Sequence, residues 1–243
     1  MQCWGITDQG CVREQNQDIY RIENLGKDAF LCIVCDGMGG AKAGNVASAL
    51  AAEVFAEEVR KNWKSDMDHT QVDHLLRSAT KEANLIVHDR SVQDPACAGM
   101  GTTLVAALIR GEDVSIVNVG DSRAYHIRES GIQKITVDHS LVEMMVLRGE
   151  LTAEEAKSYP GKNYITRAIG PESLTEADLY HVDMESGHYL LLCSDGLSNM
   201  MDDQEILFEV VHGEDKAECC KAMLEIVKSR GAPDNVTCVL AQL

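Results

Sequence analysis

Long apolar runs and basic side chains are what this sequence of 243 residues has least of. No stretch approaches the roughly 18 apolar residues that a membrane-spanning helix requires, so no membrane role is expected. Twenty-two lysines and arginines face 39 aspartates and glutamates, giving a formal charge of −17. A nucleic-acid-binding surface needs a basic face, which excludes that class of partner. An anionic substrate would also meet a repelling field unless a few arginines or metal ions supplied local positive charge. Prolines number only four, and there is no repeat, low-complexity tract or Pro/Ser-rich linker, so 1–243 reads as one domain. The opening "MQCWGITDQG" lacks the basic and apolar regions of a secretory signal, which makes the cytoplasm the expected compartment.

What is present is ordinary core material: 45% hydrophobic residues and a mean hydropathy of −0.15. The nine cysteines are an odd number, and Cys32 and Cys193 sit inside apolar runs as small core hydrophobes. "CIVC" (32–35) has C-x-x-C spacing, but on a strand that odd offset sends the two sulfurs to opposite faces. With no second pair to complete a zinc site, neither metal nor disulfide chemistry is expected there.

Near-continuous apolar runs at 29–36, 101–109, 113–121 and 188–195 read as buried strands. Further strands are expected at 3–7, 17–24, 122–129 and 235–243. Helical stripes run through Val72, Leu75, Leu76, Ala79, Ala83, Ile86 and Val87, and through Ala217, Cys220, Leu224 and Val227. Val46, Ala49, Leu50, Val54 and Val59 predict a helix after a glycine loop, with Asn45 as its N-cap. Strands joined by turns as short as "RGED" and "ESGI" must be antiparallel, and strict βαβ alternation is absent. The fold class is therefore α+β with antiparallel sheets.

The glycine loop "CDGMGGAKAG" (35–44) invites a nucleotide-binding reading that fails at the residues doing the chemistry. The dinucleotide fingerprint G-x-G-x-x-G meets Lys42 at its last glycine, and the P-loop pattern meets Asn45 and Val46 in place of Lys and Ser/Thr. Carboxylates form a stronger pattern. Asp36, Asp121 and Asp195 each end a buried run, Asp234 precedes the last one, and Asp18 opens "DIYRI". Any one of them could be a turn residue, since Asp and Gly dominate turns. Five together, if they converge near a core, must either hold protons or be neutralised by cations. Oxygen-only ligands select Mg²⁺ or Mn²⁺. Two such ions would acidify a shared water and clamp an in-line displacement at phosphorus. Glycine beside Asp36 would let a backbone carbonyl approach a metal. No G-x-S-x-G, H-E-x-x-H or Cys-x₅-Arg arrangement offers a competing nucleophile or metal site. Of the scattered histidines, His139 in "DHS" is the one with a candidate site-adjacent role.

The segments "TDQGCVREQNQD" (7–18), "VCDGMGG" (34–40), "GMGTTLVAALI" (99–109), "VNVGDSRAY" (117–125), "ITVDHSLVEMMVLRGELTAEEA" (135–156), "YITRAIG" (164–170), "LLLCSDGLSNMMDDQEI" (190–206) and "GAPDNVTCVLAQL" (231–243) resemble, in order, the motifs of the metal-dependent PPM family. These are the type-2C Ser/Thr protein phosphatases, here in their compact bacterial form. The resemblance implies an αββα sandwich, two antiparallel sheets with a helix pair on each outer face, and a metal site at one edge. It implies that Asp36 bridges two metals with the Gly37 carbonyl on one of them, and that Asp195 and Asp234 complete the second ion's ligands. Asp18 would act through bound waters, Asp121 with Asp195 would serve a weaker third ion, and Arg13 would bind phosphate.

The same resemblance implies direct attack of metal-activated water on phosphoserine and phosphothreonine proteins, in opposition to a bacterial Ser/Thr kinase. A monomer is expected. The narrower alternatives are a phosphatase dedicated to one partner, such as an anti-sigma-factor antagonist, and an inactive binding module. Many bacterial members carry His and Glu where this chain has Ala41 and Asn45, and animal members carry His in place of Met38. Leaving-group protonation then falls to water at the metals. A segment of about 146–165 matches the family's variable flap.

Overall fold

The apolar runs become strands, and their alternation decides which layer each side chain enters. The computed structural model describes residues 1–26, 29–38, 43–213 and 215–243; the expected turn through Gly39 and Gly40, and Ala41, lie outside them. In chain order come β1 (Gln2–Asp8), β2 (Asp18–Gly26), β3 (Ala29–Met38), α1 (Gly44–Asn62), α2 (His69–Gln93) and β4 (Gly101–Thr102). There follow β5 (Leu104–Arg110), β6 (Asp113–Val119), β7 (Arg123–Arg128), β8 (Gly131–Lys134), α3 (Leu141–Leu147) and α4 (Ala153–Ser158). The chain ends with β9 (Asp178–Asp183), β10 (Tyr189–Cys193), α5 (Asp195–Ser198), α6 (Asp203–His212), α7 (Lys216–Ser229) and β11 (Val236–Gln242).

Two antiparallel sheets form, ordered β1-β11-β10-β7-β8 and β2-β3-β5-β6-β9, with the short β4 on β3. Between them lies one apolar layer that includes Cys32, Val34, Val105, Ile116, Leu192 and Val239. The opposite face of β3 and β5 packs Leu31, Ile33, Cys35 and Leu108 against α1 and α2. On the other outer surface Tyr125, Leu191 and Cys193 meet α6 and α7 through Ile206, Met223 and Val227. This is the expected αββα sandwich. Cys32 and Cys35 fall in different layers, as strand alternation requires.

Two helix expectations are corrected. α1 starts at Gly44 with Ala43 at the cap position and no side-chain cap; Asn45 is exposed in the first turn. Tertiary contact sets this start, because the Ser48 hydroxyl donates to the Gln17 carbonyl at 2.6 Å. The face α1 buries is also rotated from the valine stripe. Ala47, Ala51, Ala52, Phe55, Ala56 and Val59 are buried, whereas Val46, Leu50 and Val54 are half-buried at its margins. A helix lodged against both a sheet and α2 buries a face made mostly of alanines, which permits close approach of backbones, with Phe55 and Val59 filling the space toward its end.

The strand ends also set up the cleft. In the β2–β3 ladder Asp18 is the cross-strand partner of Asp36. Val119 at the end of β6 pairs with Leu104 at the start of β5, and the Thr103 N–H donates to the Asp36 carbonyl at 2.9 Å. Cys193 pairs with Cys238, so Asp195 and Asp234 emerge at the same end of neighbouring strands. All five aspartates thus leave their sheets at one edge of the sandwich.

Candidate metal centre and active-site cleft

Hydrogen bonds that strand position makes available fix Asp18, Asp36 and Asp195. The backbone N–H of Asp36 donates to Thr103 Oγ1 at 2.9 Å, and Thr102 Oγ1 donates to the Asp36 carbonyl at 2.9 Å. Asp18 is buried and accepts from Ser194 Oγ at 2.7 Å, a hydroxyl that in turn accepts from the Thr237 N–H at 3.1 Å. This chain of bonds ties the two sheets together beneath the cleft. Asn235, also buried, accepts from the Gln17 N–H and donates to the carbonyls of Gln9 and Gln15, clamping the 9–17 loop that carries Arg13. Asp195 accepts from Asn199 Nδ2 at 3.0 Å. A Cβ added to Gly37 would collide with the Gly44 carbonyl, so only glycine allows this contact between the strand end and α1.

Arg13, Asp36, Gly37, Asp121, Asp195 and Asp234 line one open cleft of about 570 Å³, with Met38, Thr103, Asn163 and Ile165 among its other walls. Asp18 lies beneath its floor. Among the described residues Arg13 is the only cationic one in that lining, and its guanidinium donates to Asp234 Oδ2 at 2.7 Å. The hydrogen bond to Asp234 holds the Arg13 pKa above its usual value, with the charges of Asp36 and Asp195 adding to it. Burial pushes Asp36 well above the ordinary carboxylate range, reinforced by Asp18, Asp195 and Asp121. Burial likewise raises Asp18 to about 7 despite its bond from Ser194, and raises Asp121 to about 7 with Asp195 adding to the effect. Asp195 is raised by burial and by Asp234.

Such carboxyls keep their charge only beside cations. The donor set is oxygen alone, and Asp18 Oδ1 is buried with no hydrogen-bond partner. Both features fit hard divalent ions. The carboxylates are spread across the cleft rather than closed on one point. Among the described residues, the one group of three His, Cys, Asp or Glu donors within 4.8 Å of one another is His69, Asp113 and His181, at the far end of β6. A second hollow of about 580 Å³ lies between α2 and residues 175–180. Its Arg77 is committed to the Ala177 carbonyl at 2.9 Å, and it holds no comparable set of carboxylates.

His139 lies outside the cleft lining. It is buried behind the Asp121 turn, where Nδ1 accepts from the Gly120 N–H at 3.0 Å and Nε2 meets Asp178 Oδ2 at 3.2 Å. Burial lowers its pKa, against the bond to Asp178. The 146–165 segment contributes α4 and the cleft-lining Asn163 and Ile165, and Ile165 bridges to Ser140. Sequence reading missed Thr103, Ser194 and Asn235. Ser194 and Asn235 each stand next to a singled-out aspartate, a signal that would have found them, whereas Thr103 lies inside the 101–109 run.

Comparisons with known proteins identify the family and the fold. Residues 12–241 match the family model of Protein phosphatase 2C. The serine/threonine phosphatase stp of Listeria monocytogenes is 34% identical over 241 residues, 97% of this chain and 93% of its own. The serine/threonine protein phosphatase PstP of Mycobacterium tuberculosis is 36% identical over 239 residues, 98% of this chain and 44% of its own. The crystal structure of serine/threonine phosphatase Stp1 from Staphylococcus aureus superposes with a TM-score of 0.90 at 34% identity, covering 99% of this chain and 94% of that one. The chain belongs to the protein phosphatase 2C family, the metal-dependent serine/threonine phosphatases.

Proposed function

We propose that the protein hydrolyses phosphoserine and phosphothreonine in other proteins, with Asp18, Asp36, Gly37, Asp121, Asp195 and Asp234 holding two Mn²⁺ or Mg²⁺ ions and a weaker third. The observation that carries this reading is one cleft where, among the described residues, Arg13 is the only cation beside four converging aspartates, with Asp36, Asp121 and Asp195 raised by burial. When bound, the ions would supply Lewis-acid polarisation of the phosphoryl oxygens and activate the attacking water.

The chain's own residues do the rest. Thr102 and Thr103 hold the backbone of Asp36, and Ser194 orients Asp18. The planar fork of Arg13 matches phosphoryl oxygens, so an entering phosphate exchanges with Asp234 for its donors. Among the described residues Thr103 is the one hydroxyl in the cleft lining, and it is engaged with the Asp36 N–H and Ser122, which favours direct attack by water without a phosphoenzyme. Met38 is apolar where an acid would stand, and water in the cleft protonates the leaving oxygen. The 1–243 unit acts as one catalytic domain, a cytoplasmic monomer opposing a Ser/Thr kinase. Among the described residues no helix is long and apolar enough to cross a membrane. A dedicated single-partner phosphatase or an inactive module is not favoured by any feature of the cleft.

Hydrolysis of an aryl phosphate and a phosphothreonine peptide, with Mn²⁺ and with chelator, tests the proposal. Turnover should require the ion, and ¹⁸O from solvent should enter phosphate in a single turnover. Activity indifferent to chelator, or retained by Asp36→Asn, would sink it. Peptide binding without turnover would point to the inactive module.

A further inference from the structure

The far end of β6 carries a second group of donors of different chemistry. β6 begins at Asp113 and stops two residues short of Asp121, so the group and the cleft are separated by a strand roughly 20 Å long. His69 opens α2, and Asp73 follows one turn later on the same face. Across from them His181 of β9 is the cross-strand partner of Ser115, and Asp113 lies two residues from Ser115 on the same face of β6. Two imidazoles and the Asp113 carboxylate therefore meet where a helix start crosses a strand pair, with Asp73 beside His181.

The contacts leave these groups aimed at one another. His69 Nδ1 is 3.7 Å from Asp113 Oδ1, and His181 Nε2 is 2.9 Å from Asp73 Oδ1. The His69 and His181 rings stand nearly perpendicular, 5.0 Å between centroids. Arg110 engages Asp113 through Oδ2, leaving Oδ1 for the histidines. Ser115 Oγ lies 3.2 Å from His181 Nδ1, which frees Nε2 for the centre of the group. Asp73 Oδ1 and Asp113 Oδ1 are both buried, and neither completes a hydrogen bond. A simple set of His–Asp ion pairs would give each of those oxygens a donor. Two carboxylate oxygens left without one, beside two imidazole nitrogens, call for a cation.

We propose that His69, Asp113 and His181 form a distinct metal site for a nitrogen-accepting transition ion such as Zn²⁺, with Asp73 beside His181 at its margin. Imidazole ligands suit zinc, whereas the all-oxygen cleft suits Mg²⁺ and Mn²⁺. The Asp113 carboxylate offsets part of the dication's charge, and three protein ligands leave a fourth tetrahedral position for water. Arg110 and Ser115 act as the outer partners that orient such ligands. The bound ion pins the first turn of α2 to β6 and β9. This site is independent of the phosphatase reading.

The test uses the full-length chain, stripped by chelator, in wild-type and Asp36→Asn forms, titrated with Zn²⁺ against a chromophoric indicator and with Co²⁺ by visible absorption. Asp36→Asn should retain one equivalent of Zn²⁺ and show the intense d–d bands of four-coordinate Co²⁺. His69→Ala, at a side chain 60% exposed, should weaken that equivalent at least about tenfold without impairing folding. In otherwise wild-type protein, His69→Ala should leave Mn²⁺-dependent hydrolysis unchanged and abolish the zinc-dependent rise in Tm. Zinc stoichiometry untouched by His69→Ala and His181→Gln, or all zinc lost with Asp36→Asn, would overturn the proposal.

Discussion

At the scale of single residues, the cleft turns on which groups hold charge. Arg13 is more than half exposed and has one strong partner, Asp234, so its removal should barely affect folding. A charge-assisted hydrogen bond contributes about 1.5–3 kcal/mol. Arg13→Ala should therefore lower kcat/KM for a phosphopeptide roughly 10- to 150-fold, and Arg13→Lys should recover only part of it, because a point charge does not replace a planar fork. Steady-state kinetics with Mn²⁺ saturating checks both. His139 gives a pH prediction of definite sign. Its folded pKa is lowered by burial, so its contribution is present above the unfolded value of 6.5 and is lost as pH falls through the folded one. Urea denaturation should show the wild type losing more stability between pH 7 and pH 5 than His139→Gln does.

At this scale legibility was uneven. The five aspartates were readable because each punctuates an apolar run. The engagement of Arg13 with Asp234 was not, since 221 positions separate them and only the closing of β11 beside the 9–17 loop brings them together. The places of Ser194 and Asn235 beside singled-out aspartates were readable, but their tasks were not: a buried hydroxyl or amide acquires its partners from tertiary neighbours.

At the scale of elements, α1 holds the loop end of the cleft against β3 through an alanine face. Ala51→Leu should overpack this contact and cost about 1–3 kcal/mol, visible as a lowered urea midpoint with unchanged m-value. A cost below about 0.5 kcal/mol would show that α1 can shift outward freely. Strands that end buried runs were legible from hydropathy alone. β8 and β9 were not predicted, because one is four residues long and the other, "DLYHVD", is a half-buried edge whose alternation is diluted by its charges. α6 was missed although Asp202 and Glu205 form a capping box ahead of it. Val46, Leu50 and Val54 misled because hydrophobicity ranks valine and leucine above alanine, whereas close packing selected the smaller side chain.

For the whole molecule, the charge of −17 surrounds a cleft whose lining, among the described residues, offers one cation. Substrate charge should therefore govern capture more than capture chemistry does. Raising ionic strength from about 0.01 to 0.15 M shortens the screening length from about 30 to about 8 Å. Over that range kcat/KM should rise for an acidic phosphopeptide and fall for a basic one, with kcat little changed for either. Parallel salt responses of the two peptides would contradict a role for the global field. The layered fold itself followed from antiparallel turns and from the family resemblance, while the αββα stacking order needed the three separate core layers to be seen.

The pairing of Asp18 with Asp36 makes strand alignment the ruler of the active centre. Sliding β2 by one position along β3 would turn Asp18 away from the cleft and, in the same stroke, exchange its inward and outward side chains. The ladder runs unbroken from Asp18–Asp36 to Asn24–Phe30 and has its irregularity beyond, between Asn24 and Gly26. Length changes in this hairpin are therefore tolerable only on the far side of that irregularity. One residue inserted after Gly26 should leave catalysis intact, and one inserted between Ile19 and Glu23 should abolish it.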